Sequence, residues 1–563
     1  MKQSIADKLA ALRQKMSEHS IQVLLIPRTD EYLNEYVAAY AERLHFISNF
    51  SGSAGLGIIT QSGAVLFTDA RYTEQASKQC DPAYFEIIDS ADTKPLDWLK
   101  ANAAQMSIGY DPSLHTVHQI HAMAEWGVVL KALNQNLVDG LWTQQPPTPR
   151  QETSDFPEHI AGASTAQKIS AICESEKEAS LDALILTTSD SISWLMNIRG
   201  NAVPYTPYAL GAVHLSIADE AAASLLPPYS FEGLSGQRVG LDFKNAPMAI
   251  YNALERTGAQ VVDIKDPCIL PRAIKTSAEQ DAIRKAHLHD GIALTKFLHH
   301  MDTSRPSMAE LDVVDCLETF RKQSPYYKGP SFPTIAGYNP NGAIIHYRAT
   351  PETNRAIEGD GFLLIDSGGQ YAGDDVWGTT DITRTLPVGE PPAEMKEHYT
   401  LVLKGHIALS SARFKEGTLG KELDELARGP LKAKGLNYAH GTGHGVGCYL
   451  SVHEDAAGIS PSGEDPVRTG MLLSNEPGYY QSGDYGIRIE NLVFVMREEG
   501  ADDMLLMQDV TLAPIELSCI IHDMLNPQEK QWLNEYHARV YKTLGPHLEV
   551  NVQNWLEEKT QPV

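Results

Sequence analysis

The chain has 563 residues, of which 42% are hydrophobic and 21% charged, a profile that excludes a disordered or fibrous protein. Its 46 basic and 72 acidic residues give a formal net charge of −26, a surface that repels nucleic-acid phosphates and anionic lipid and argues against both as partners. Single cores rarely grow past roughly 250–300 residues, so more than one domain is expected.

The first sixteen residues, MKQSIADKLAALRQKM, carry an amphipathic helical pattern and lack the continuous apolar stretch of a secretory signal. No apolar run approaches the roughly 18 residues that span a bilayer. Cys80, Cys173, Cys268, Cys316, Cys448 and Cys519 are scattered, with no C-x-x-C pair, which speaks against a disulfide framework or a thiolate metal site and fits a reducing compartment. The expectation is a cytoplasmic protein without a membrane partner.

A long-range repeat follows. Ala6–Asp30 and Ala166–Asp190 each read as an amphipathic helix, an apolar strand (Val23–Ile26, Ala183–Leu186) and a turn ending in aspartate, with Lys8 matching Lys168 and Asp30 matching Asp190. Two related α/β domains are expected, over residues 1–142 and 164–270. The Pro-rich, polar segment 143–163 between them reads as a linker. Gly52–Gly57, GSAGLG, lacks the Lys-Ser/Thr of a phosphate loop and reads as a turn feeding a strand.

A third region, 271–563, begins beyond Pro271. Thr276 and Glu279 form a T-x-x-E capping pattern that opens a helix over Ala278–His299. Short β-like runs with glycine-rich turns then alternate (TIAGYNPNGAIIHY, GFLLIDSGGQY, GTTDITRTL, MLLSNEPGYY, YGIRIENLVFV) around one helix, Glu394–Arg413, and the tail from about Asn526 is helical. This mixture predicts an α+β domain on a curved antiparallel sheet.

The residues with chemical potential lie here. Asp366 ends the strand FLLID, and Asp381 is expected within the strand TTDITRTL, the two paired by a hairpin turning among Ala372–Trp377. Aspartates inside a sheet are costly unless neutralised, and a cation is the usual answer. His444 stands in the glycine-rich HGTGHGVG, Glu476 ends an apolar strand, and Glu490 is expected to share a strand face with Arg488. Singly each has an ordinary structural reading, as an ion-paired or solvated side chain.

Together the ordered set Asp366, Asp381, His444, Glu476, Glu490 resembles the metal signature of the methionine aminopeptidase/prolidase/aminopeptidase P superfamily, whose pita-bread fold binds two divalent ions. The words IPRTDEYLNEY, RLHFISNFSGSAG, LFTDARYTEQA, NPNGAIIHY, LLIDSGGQY, GTTDITRT, LKGHIALS, YAHGTGHGVG, VHE, NEPGYY and GIRIEN look like those of the cytosolic X-prolyl aminopeptidases, over nearly the whole chain. The resemblance implies two creatinase-N-like α/β domains before a pita-bread catalytic domain. It implies Asp366 on one metal, His444 and Glu476 on the other, and Asp381 and Glu490 bridging. Such a pair lowers the pKa of a shared water, with Glu476 as its proton acceptor. His346, His440 and His453 would position the peptide and stabilise developing charge, and Arg488 would pair with a ligand carboxylate. Peptides with proline at position two are the implied substrates, and the tail implies a homodimer. Four oxygen donors and one nitrogen favour Mn²⁺ over Zn²⁺ or Co²⁺.

One departure from the family stands out: the two aspartates lie a few residues further apart than in its members. Neither Gln370 nor Trp377, which would restore the shorter interval, can replace a carboxylate. AGDDVW is therefore read as an insertion at the hairpin tip, with Asp374 and Asp375 solvated and Asp375 a potential competitor for metal. The alternatives are a prolidase acting on X-Pro dipeptides, metal-free creatinase-type hydrolysis, and a catalytically silent pita-bread protein that binds peptides or proteins. The intact ligand set argues against the last two.

Overall fold

The computed structural model describes residues 4–217, 223–226, 231–303, 308–501 and 503–563, with backbone alone for Ala223–Leu226. They form two units. The first takes in the chain up to Glu158 together with Ala163–Cys268, and the second takes in His159–Gly162 and Ile269–Val563.

In the first unit, helix α1 (Ile5–Glu18) starts at Ser4, whose hydroxyl accepts from Asp7 N while the Asp7 carboxylate accepts from Ser4 N. Its buried Leu9, Leu12 and Met16 recur at helical spacing and cover a sheet. Strand β1 (Val23–Pro27) pairs antiparallel with β2 (Leu56–Thr60), and β2 with β3 (Ala64–Thr68). β4 (Glu86–Asp89), β5 (Ser107–Tyr110) and β6 (Val129–Ala132) complete the order β4-β3-β2-β1-β5-β6. Helix α2 (Thr165–Glu176), capped by Ser164, opens a second sheet of β7 (Ala183–Leu186), β8 (Ala212–Ser216), β9 (Ala223–Leu226), β10 (Arg238–Leu241) and β11 (Gln260–Asp263), in the order β9-β8-β7-β10-β11.

The pairing directions repeat. The central strands β1 and β7 are each antiparallel to the next sheet strand in the chain and parallel to a later one. The matched lysines do the same work. Lys8 Nζ donates to Phe46 O and lies 4.2 Å from the Phe46 ring centroid, and Lys168 Nζ donates to Trp194 O and lies 4.4 Å from the Trp194 ring. The matched aspartates diverge. Asp30 is buried and accepts from Asn34 and Tyr32 N, whereas Asp190 bonds Ser191 N in the first turn of a short helix. The segment read as a linker is structured in part, because Thr153–Asp155 pairs antiparallel with Ile198–Gly200.

In the second unit, α3 runs from Ser277 to Thr303, longer than the sequence suggested at both ends. Its capping box is reciprocal, Thr276 N donating to Glu279 Oε2 at 3.0 Å and Glu279 N to Thr276 Oγ1 at 3.2 Å. After α4 (Glu310–Arg321) come β12 (Tyr327–Pro330), β13 (Ile335–Tyr338), β14 (Gly361–Ser367), β15 (Gly369–Gly373), β16 (Val376–Thr379) and β17 (Ile382–Val388). They form two three-stranded sheets, β13-β14-β17 and β12-β15-β16. The expected β-run at GAIIHY is absent: Asn339–Asn341 is a 3₁₀ turn and turns follow it. Helices α5 (Ala393–Ser410) and α6 (Gly420–Lys432) precede β18 (Gly443–Gly445), β19 (Glu454–Ile459), β20 (Leu472–Asn475), β21 (Tyr485–Arg488), β22 (Asn491–Arg497) and β23 (Met504–Asp509). A six-stranded sheet orders Arg413–Lys415, β23, β22, β20, β18 and β19. The tail helices α7 (Pro527–Leu544) and α8 (Val550–Lys559) bury Leu533, Tyr536, Val540, Leu544 and Leu556 in the core beneath α5.

Two buried ionic devices hold this unit. Arg384 of β17 donates to the carbonyls of Thr383, Glu490, Ala513 and Pro514, to Asn491 Oδ1 and to Tyr536 OH, tying β17, β22 and α7 together. Glu454, beside His453, is flanked by Lys275 and by Arg272 at 3.3 Å, and all three side chains are nearly inaccessible. Removing the carboxylate strands two buried cations. Glu454→Ala is therefore expected to destabilise the protein by about 3–5 kcal/mol, read from the denaturant midpoint, whereas exposed Glu464→Ala should change it by less than about 0.5 kcal/mol.

Candidate metal centre

The site is assembled where two antiparallel ladders break. Asp366 lies in β14 opposite Thr383 of β17, and beyond it Gly368 lets the ribbon bend. A Cβ at Gly368 would sit 1.9 Å from Thr380 O. Ser331 Oγ donates to that carbonyl at 2.8 Å, so the ladder lapses at Thr380 and Asp381. Asp381 therefore stands at the junction of β16 and β17, and not within a strand as its neighbours suggested. Glu490 departs from expectation in the same way. It occupies the gap between β21 and β22, its N–H donating to Thr383 O at 3.2 Å. At both positions the side chain is aimed by a break held open by specific hydrogen bonds.

His444, in β18, and Glu476, just past β20, come from the six-stranded sheet. His444 Nε2 is 3.6 Å from Asp381 Oδ2 and 3.3 Å from Glu476 Oε1. Single ligand atoms of Asp381, His444 and Glu490 all lie within 4.8 Å of one another. Ser474 Oγ accepts from His444 N at 2.9 Å and donates to Glu476 Oε1 at 3.1 Å, coupling the two. Gly443 is obligatory, since a Cβ there would fall 2.0 Å from Ser474 O.

The electrostatics call for cations. Asp366, Asp381 and Glu490 are buried together. Burial raises the Asp366 carboxyl pKa, opposed by Arg488. Burial, then Asp366 and Glu476, raise Asp381; burial, then Asp381 and Glu476, raise Glu490. Glu476 is the exception: burial acts upward on it too, but His444 and then His440 hold it down to about 2. Asp366 Oδ1 and Glu490 Oε1 are buried without a hydrogen-bond donor. Carboxylate oxygens left unsolvated and facing like charge, with one imidazole beside them, fit a pair of hard divalent ions.

The remaining expected residues surround this cluster. Arg488 Nη2 donates to Asp366 Oδ2 at 2.6 Å and Nε to Thr383 Oγ1 at 3.1 Å, while Nη1 donates to Tyr480 OH at 2.6 Å. His440 is buried, which lowers its pKa to about 4. Its Nε2 is 2.8 Å from Tyr480 OH, its Nδ1 is 2.7 Å from Gly441 O, and Nδ1 is 4.0 Å from Glu476 Oε2. The His453 ring stands edge-on to His444 at 4.6 Å. His346 follows Ile345, whose carbonyl accepts from Arg488 Nη2 at 3.4 Å. Asp375 is not a rival ligand. It is exposed and pairs with Lys285 of α3, while Asp374, at φ +47°, accepts from Tyr326 OH.

Sequence reasoning passed over Thr383, Tyr480 and Ser474. Thr383 bridges Arg488 and Glu490, donating to Glu490 Oε2 at 2.7 Å. Tyr480 links Arg488 to His440. The signal for Thr383 was its place two residues after Asp381 in GTTDITRT, and for Tyr480 its place four after Glu476 in NEPGYY.

The metallopeptidase family M24 matches residues 281–497 and its C-terminal region 503–563, and the creatinase/prolidase N-terminal domain matches twice, at 8–135 and 144–226. The chain is 35% identical to a probable Xaa-Pro aminopeptidase P of Paracoccidioides brasiliensis (strain Pb03) over 99% of both sequences. It is 34% identical to one from Laccaria bicolor over 99% of this chain and 93% of that one. The crystal structure of X-prolyl aminopeptidase from Caenorhabditis elegans, described as a cytosolic enzyme with a di-nuclear active site, superposes with a TM-score of 0.92 at 31% identity over 100% of both chains.

The raised carboxyls fix a pH dependence for the metal-free protein. Asp366, Asp381 and Glu490 keep protons in the fold that the unfolded chain releases above roughly pH 4, so stability falls as pH rises from there through their folded pKa values. Asp381→Asn removes one such penalty. With chelator, it should melt above the wild-type chain at pH 7 and close to it near pH 4, and it should lose most of the melting-temperature rise expected of the wild type on adding a divalent cation such as Mn²⁺. Thermal unfolding followed by circular dichroism checks both.

Proposed function

The chain belongs to the metallopeptidase family M24, in its Xaa-Pro aminopeptidase P group, and from that premise we propose that it removes the N-terminal residue from peptides whose second residue is proline. The observation that carries this reading is the convergence of Asp381, His444 and Glu490, with Asp366 and Glu476 against them, on one carboxylate-rich centre.

In this reading Asp366, Asp381, His444, Glu476 and Glu490 would together hold a pair of divalent ions. Ions held there would polarise the scissile carbonyl and acidify the attacking water. Glu476, whose Oε1 is steadied by Ser474, takes the water's proton. Arg488 occupies one oxygen of Asp366 and leaves the other for metal, and through Thr383 it sets the Glu490 carboxylate. The Tyr480 hydroxyl, receiving from Arg488, donates to His440 Nε2, whose Nδ1 donates to Gly441 O, so this imidazole is held neutral and in one tautomer. His440, His453 and His346 position the peptide around the reacting carbonyl. We place this catalytic domain at 271–563, behind the α/β domains 1–142 and 164–270 and the linker 143–163.

The oxygen-rich donors support Mn²⁺ as the working ion. A cytosolic setting is supported by the similarity to the Caenorhabditis elegans enzyme, which is cytosolic. Among the described residues no helix is long and apolar enough to cross a membrane. The homodimer rests on the family character of the tail, whose M24 C-terminal match spans 503–563.

The test is hydrolysis of an X-Pro-Y tripeptide and an X-Pro dipeptide with chelator and with Mn²⁺. Metal-dependent cleavage of the tripeptide alone is expected. Glu476→Gln should lower kcat by at least about 100-fold. Equal cleavage of the dipeptide would make the protein a prolidase, and metal uptake without cleavage would make it a silent binder.

A further inference from the structure

The loop 436–442 carries His440 and leads into His444, yet it has no regular structure of its own. Gly441, next to His440, gives it freedom that catalytic geometry cannot tolerate. What fixes it comes from α6. Arg428, 2% exposed, donates through Nη1 to Tyr438 O at 2.7 Å and Asn437 Oδ1 at 2.9 Å, and through Nη2 to His440 O at 2.6 Å. Its guanidinium carbon lies 3.9 Å from the Tyr438 ring centroid. Nε donates to Asp424 Oδ2 at 2.6 Å, one helical turn earlier, and Asp424 is fully buried.

The other oxygen of Asp424 accepts from Thr442 Oγ1 at 2.6 Å, and Thr442 O accepts from Glu476 N at 2.8 Å. One ion pair thus reaches the His440 carbonyl on one side and the Glu476 main chain on the other. We propose that Arg428, oriented by Asp424, is a positioning residue that fixes the His440 imidazole relative to Glu476. This assignment rests on the role proposed for His440. A planar fork is needed for it, because four acceptors in four directions cannot be met by a single ammonium nitrogen.

The test uses the full-length protein with Mn²⁺ and an X-Pro-Y peptide, comparing Arg428→Lys, Arg428→Ala, His440→Ala and the Arg428→Ala/His440→Ala double variant, each with its unfolding temperature. Arg428→Lys keeps a cation beside Asp424 and serves as the folded variant should the alanine fail to fold. The expected results are a kcat for Arg428→Lys reduced on the order of 10-fold or more, partial recovery of Arg428→Ala by millimolar guanidinium, no such recovery of His440→Ala, and a double variant no slower than His440→Ala alone. A folded Arg428→Lys with wild-type kcat and KM, beside an impaired His440→Ala, overturns the proposal. Independent, multiplying losses in the double variant overturn it as well. Wild-type kcat in His440→Ala overturns the role given to the histidine instead, which keeps the two failures distinct.

Discussion

Four carboxylates, Asp366, Asp381, Glu476 and Glu490, face one another in a space largely closed to water, and much of the second unit is organised around holding them there. Like charges brought this close repel, and without solvation they would part or take up protons. The fold keeps them in place by rigid attachment and admits few protein counter-charges. Arg488 is hydrogen-bonded to Asp366, and the His444 imidazole lies beside Glu476. The charge left over is what suits the centre to a cation, since a fully paired cluster would have no affinity to offer.

Attachment is achieved by buried cations placed outside the carboxylate ring. Arg384 draws together β17, the start of β22 and α7, and through Glu490 O it anchors a proposed ligand by its backbone. Arg272 and Lys275 hold Glu454 and with it the start of β19, next to His453. Arg428 and Asp424 tie down the loop bearing His440. Each is a main-chain restraint one step removed from the chemistry, and each is expensive to build, because a buried ion is stable only with its hydrogen bonds complete. Their common effect is that His444, from the six-stranded sheet, meets Asp381, from the junction of β16 and β17, at 3.6 Å.

The first unit shows a different kind of constraint. Its two sheets share pairing directions, and a lysine projecting from the first helix binds a main-chain carbonyl and the face of an aromatic ring in both copies. The aspartates that also match in sequence have drifted into unrelated surroundings. The duplicated scaffold matches where a cation binds a carbonyl near the end of a short helix, and differs where a polar side chain serves only its own loop.

The sequence by itself determined the two α/β repeats, the helix opened by the Thr276–Glu279 cap and the helical tail, because these follow from periodicity and capping, and through its ordered motif words it nominated the five side chains proposed to bind metal. It could not determine that Asp381 and Glu490 lie in gaps between strands. Those gaps depend on Ser331 taking Thr380 O and on Thr383 taking Glu490 N, bonds between residues far apart in the chain. For the same reason Thr383, Tyr480, Ser474 and the Asp424–Arg428 pair were invisible: a threonine or an arginine in a helix has many uses, and only the packed structure says which carbonyl it meets. Local pattern encodes which face of an element is buried. The aim of a side chain at a break in a ladder is a tertiary property, set by whatever closes the hydrogen bonds the break leaves open.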